Sequence, residues 1–117
     1  NISVNKANDK AISIGENSIA KINNLELTEN NIGIAVKDGS VSDLQNLNTK
    51  NNNYDVILFN KKKEFSKPSL NISNYNNSED MKLLQSEGTY LEIDQKVFLG
   101  NFKDEYINSL IYWLKIY

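Results

Sequence analysis

The sequence predicts an all-β chain: a right-handed parallel β-helix segment of about 22 residues per coil, ending in a short capping helix. Three observations carry this. Sliding the chain by 22 residues superimposes Ile12 on Ile34, Ser18 on Ser40, Asn24 on Asn46, Leu25 on Leu47, and Asn30-Asn31 on Asn52-Asn53. Within each period, apolar residues recur at a spacing of two, which places one side chain inward and the next outward along a strand. Asn supplies about one residue in six, against 5 Gly and 1 Pro. That excess points to many tight corners with left-handed backbone.

The elements follow in order. Asn1-Ile2-Ser3-Val4 already alternates as a strand, and without an initiating Met the chain is expected to be a segment, the C-terminal fragment, of a longer protein. Ile12-Ser13-Ile14, Leu25-Glu26-Leu27 and Ile32-Gly33-Ile34-Ala35-Val36 are the next alternating runs. A coil of this length closes with three short strands and three bends, and coils stack at about 4.8 Å. Ile14 falls on Val36, Glu16 on Asp38, Ile19 on Val41 and Ile22 on Leu44, so aliphatic columns fill the interior. Asn24 over Asn46 forms an amide ladder at one corner. A leucine-rich repeat competes, because Ile22, Leu25, Leu27, Asn30 and Ile32 match its spacing. Its return segment must be helical or loose, whereas Gly33 to Val36 and Tyr54 to Phe59 alternate, which favours the coil.

The third coil lengthens between Asn60 and Pro68 before Leu70-Asn71-Ile72 resumes the pattern. A fourth coil runs from Met81 to Val97, with a bend at Gly88. Ile107, Leu110, Ile111 and Leu114 then share one helical face, and this helix is expected to cover the open last coil. The chain is read as one domain, with coils over 1–103 and a cap over 104–117. Right-handedness rests on the general preference of parallel crossovers.

Composition narrows the functions. All thirteen basic residues are Lys, and His and Cys are absent, so thiol and imidazole chemistry are excluded on this chain. A net charge of −2 with no Arg argues against nucleic acid, and no apolar run is long enough for membrane insertion. No cofactor is expected.

Certain phrases are familiar. Lys10-Ala11-Ile12-Ser13-Ile14-Gly15-Glu16-Asn17-Ser18, Ile32-Gly33-Ile34-Ala35-Val36-Lys37-Asp38, and Tyr54-Asp55-Val56 followed by Lys61-Lys62-Lys63-Glu64-Phe65 resemble bacterial right-handed β-helix proteins. In particular they resemble β-helix regions that accompany spore-coat-kinase-like (CotH-type) modules in large surface proteins. The resemblance spans about residues 8 to 95 and implies an extracellular or cell-surface setting, with no catalytic motif attached.

Candidate sites are few. Lys61, Lys62, Lys63 and Lys67, with Phe65 between them and Tyr54 nearby, form a basic loop that could grip an acidic polysaccharide; a solvated excursion is the simpler account. Glu16 and Asp38, one period apart, are metal candidates by carboxylate pairing. Solvated outward acids are the plainer reading, and the neutral Asn60 in the same column favours it. Tyr106, Tyr112, Trp113 and Tyr117 suggest either a sugar platform or packing on the last coil, the second being simpler. Ser13, Ala35, Ser42, Asn48 and Thr49 are expected outward, on a flat polar face. The function expected is a non-catalytic surface module that contacts other domains of its chain and, weakly, polysaccharide. The alternatives are the C-terminal part of a polysaccharide lyase or hydrolase, or an adhesion module pairing through its first coil.

Overall fold

The computed structural model describes residues 2–77 and 79–116, with side chains in the last helix described as far as Trp113. Ten strands and one helix follow in order: β1 (Ile2–Asn5), β2 (Lys10–Ile14), β3 (Ile19–Thr28), β4 (Ile32–Lys37), β5 (Val41–Lys50), β6 (Tyr54–Phe59), β7 (Ser69–Asn77), β8 (Leu83–Gln85), β9 (Tyr90–Ile93), β10 (Lys96–Leu99) and α1 (Asp104–Ile116). They wind into a parallel β-solenoid of about 4 turns at about 22 residues per coil. One sheet has the order β1-β3-β5-β7-β9-β10 and the other β2-β4-β6-β8.

The predicted register holds strand by strand. Ile12 pairs with Ile34 and Ile34 with Val56, while Leu25 pairs with Leu47. The leucine-rich alternative falls here, because the segment after Asn30 is a parallel strand in a second sheet. Inward-facing Leu25, Leu27, Ile34, Val36, Leu44, Leu47, Val56, Leu58, Leu70 and Ile72 stack into one aliphatic core.

In the first two coils three corners bend the chain, each through left-handed backbone. Asn24, Asn46 and Asn74 lie at φ 60°, 62° and 61°, in the middle of β3, β5 and β7, and divide each long strand into two faces. Lys6, Glu29 and Asn51 form a second corner column, and Glu16 with Asp38 a third. Asn therefore fills one corner throughout; the others also hold Lys6, Glu16 and Glu29, in a conformation that costs such residues about 1–2 kcal/mol each. The amide ladder forms with a shifted foot. Asn74 Nδ2 donates to Asn46 Oδ1 at 2.5 Å, but Asn46 Nδ2 donates to Asn23 rather than Asn24, at 3.1 Å.

A second amide column is buried. Asn52 Oδ1 accepts the Asn30 N–H at 2.8 Å, and Asn52 Nδ2 donates to Leu27 O at 2.9 Å. One coil below, Asn30 repeats both contacts with Ala7 N–H and Val4 O. Each amide thus satisfies backbone groups that the turn leaves without a ladder partner.

The parallel strands end at β9, and a single parallel bridge from Ser86 to Phe102 follows. Asp94 and Gln95, both at positive φ, form a two-residue turn, and β10 folds back antiparallel on β9. Phe98 packs against the aliphatic core, so β10 closes that end. Helix α1 forms where the spacing predicts but lies elsewhere than expected. Ile107 and Ile111 pack on the outward face of the second sheet, against Ile32, Ala35, Ile57, Phe59 and Leu84. The helix covers the flank of the solenoid instead of its open coil. Leu114 and Tyr117 fall outside the described side chains.

Candidate functional site

The loop between β6 and β7 is the largest departure from the repeat. Val41 pairs with Ile19 on one side and with Ser69 on the other, so the loop adds six residues to the period. Its entry is fixed by Asp38, which is only 1% exposed and accepts the N–H groups of Lys61 and Lys62 at 2.9 Å each. Asn60 Nδ2 donates to Phe65 O at 2.8 Å and closes the loop upon itself.

The loop lysines largely face carboxylates. Lys62 Nζ lies 2.5 Å from Glu16, Lys63 3.8 Å from Glu105, and Lys67 pairs with Asp104. The hydrogen bond and charge of Lys62 hold the Glu16 carboxyl below its ordinary value, and the same contact raises the Lys62 ammonium. Burial pushes the Asp104 carboxyl up, but the Asn60 N–H at 2.8 Å and the Lys67 ammonium outweigh it, and the net shift is downward. Asn108 Nδ2 donates to Asn60 O at 3.0 Å. Loop and helix are therefore fastened together at Asn60, Lys67 and Asp104.

The proposed sugar grip is not assembled as one site. Lys61, Lys62, Lys63, Phe65 and Lys67 share the loop, but Tyr54 opens β6, about 16 Å away at the strand rise. Tyr54 packs instead on the outer apolar cluster beneath α1. Glu16 and Asp38 share a corner, yet only Glu16 is solvated; Asp38 lies under the loop, which corrects the reading of both acids as outward. No group of three or more His, Cys, Asp or Glu that could hold a metal occurs among the described residues.

The supposed polar face also dissolves. Ser42 and Thr49 point inward, and Ala35 lies among the apolar residues packed against α1; Ser13 and Asn48 are exposed. On α1 the arrangement is reversed from the expectation that aromatics pack inward. Ile107 and Ile111 fill the interface, while Tyr106, Tyr112 and Trp113 are 52%, 65% and 55% exposed. The Phe102 and Tyr106 rings stack with centroids 5.2 Å apart.

One concave surface escaped the sequence reading. A half-open groove of about 450 Å³ is lined by Ile2, Ser3, Asn24, Glu26, Asn46 and Asn48, beside the asparagine corner. Ser3, Glu26 and Asn48 hold equivalent positions on successive rungs. The register predicts that column; that it borders a hollow depends on how the corner bends.

Comparison with protein-family models, curated proteins and solved structures found no match. No described helix is long and apolar enough to cross a membrane.

Proposed function

We propose that the chain is a non-catalytic structural module of a larger bacterial surface or secreted protein. One observation supports this reading above others: three buried or partly buried carboxylates, Asp38, Asp55 and Asp104, are committed to the fold. Asp38 secures the loop entry, and Asp104 secures the loop to α1. Buried Asp55 accepts Asn52 Nδ2 at 2.9 Å, Asn77 Nδ2 at 3.1 Å and the Lys82 N–H at 2.9 Å. A general acid or base needs a free face toward substrate, and these carboxylates meet backbone, amide and ammonium donors instead. The surface setting rests on the resemblance of the repeat phrases to β-helix regions of surface proteins, and the partners on this reading are other domains of the same protein.

The test is turnover. Purified chain incubated with pectate, alginate, chitin and glucan, and followed by reducing-end release and formation of unsaturated product, is expected to match a heat-denatured control. Turnover by the chain alone overturns the reading and favours a polysaccharide-active enzyme.

A further inference from the structure

We infer that the groove beside the asparagine corner binds a neutral, polyhydroxylated chain, a glycan without acidic groups, laid along the solenoid axis. The groove is built by repetition. Ser3, Glu26 and Asn48 line one side on consecutive rungs, and Asn24 with Asn46 line the other. Rungs are about 4.8 Å apart, so the groove offers a polar side chain at each such step. A pyranose ring in an extended chain advances by close to one rung, whereas an extended peptide advances about 3.3 Å per residue and falls out of step.

The chemistry of the lining selects further. A side-chain amide both donates and accepts, which suits a hydroxyl group, and a carboxylate accepts from two hydroxyls at once. Asn46 is held in place from both sides, by Asn74 and by Asn23. The side-chain amides of Asn24 and Asn48 make no hydrogen bond to other described residues and are available. Glu26 keeps only a 3.5 Å contact with Ser3 Oγ. Among the described lining residues Glu26 is also the one charge, and none is a lysine. A uronate would therefore meet a carboxylate without a compensating cation, and a polycation would find one partner for many charges. Among the described lining residues Ile2 gives the only apolar contact, so hydrogen bonds carry the recognition and affinity is of about millimolar order.

The inference goes beyond the structural role and is tested separately: turnover would overturn that role, while binding reports on the groove. Isotopically labelled chain is titrated with neutral oligomers of β-linked glucose, xylose and mannose, and with galacturonate oligomers, while amide resonances are followed. At least one neutral oligomer is expected to shift Ser3, Glu26 and Asn48. The paired change Glu26→Ala and Asn48→Ala, both on exposed strand positions, is expected to weaken that binding about tenfold. Lys62→Ala with Lys63→Ala should leave it unchanged. The inference fails if none of the three neutral oligomers binds, if the shifts map outside the groove, if the groove pair leaves affinity intact, or if galacturonate binds the native chain as well as they do.

Discussion

The molecule has two apolar cores, and they are made differently. The inner one lies within the coils, where Leu25, Leu47, Ile34, Val56 and their equivalents stack on copies of themselves one period away. The outer one lies on the flank, where Ile32, Ala35, Ile57, Phe59 and Leu84 meet Ile107 and Ile111 of a helix far along the chain. The inner core depends on neighbouring coils and grows rung by rung, as in other solenoids. The outer core depends on a single long-range docking event. Its interface is fastened at the edge by Asp104, Lys67 and Asn60.

The largest effects should separate the two. Leu58→Ala, in the inner core, is expected to cost about 2–5 kcal/mol and lower the urea midpoint of the whole chain. Ile107→Ala removes a similar volume from the outer core, but the loss should fall on α1. Emission anisotropy of Trp113, the single tryptophan, should then change at lower urea than the strand circular dichroism. If both signals move together, the two cores are one cooperative unit and the contrast breaks.

Asn52→Ala comes next, at about 1–3 kcal/mol, because the Asn30 N–H and Leu27 carbonyl lose their shared partner. Exposed Asn53→Ala should change stability by less than about 0.5 kcal/mol, measured by the same unfolding curve. The third effect is pH-dependent. The folded-state pKa of Asp104 lies below its unfolded value, so its contribution is full above the ordinary aspartate range. It is lost as pH falls through the depressed folded value. Acid titration should loosen α1 before the coils melt, and Asp104→Asn should remove that step from the anisotropy curve. Lys67→Ala is also expected to be mild, its partly exposed ion pair contributing about 0.2–1 kcal/mol by the same unfolding curve.

The inner core was legible because translation by one period repeats both the inward residues and the corners. The outer core was visible too, though read less well. Val56-Ile57-Leu58-Phe59 is a continuous apolar run, the pattern of a strand buried on both faces, and it appeared as simple alternation. Once Ile57 and Phe59 are seen to need cover, the isoleucines of α1 have a destination and its aromatics do not. The β9–β10 hairpin was not legible, since Asp94-Gln95 lacks the Asn-Gly signature of such turns. Of the candidate sites, the loop was read from its lysines alone, while its carboxylate partners lie at distant positions in the sequence. Gly33 shows the same limit: a Cβ there would sit 2.5 Å from the Asp55 carbonyl oxygen, a constraint imposed by the next coil.

The six-residue insertion in the loop after β6 also bears on how the chain counts. A stack of equivalent coils has a hidden ambiguity, because a strand can pair with the right partner or with one a full period away and bury the same face. Nearly identical coils at Asn30 and Asn52 invite that slip. A six-residue insertion in one coil, fixed at its entry by Asp38 and at its exit by the helix, gives the stack a mark that no shifted arrangement reproduces. The irregular coil is thus what makes the order of the regular ones unique.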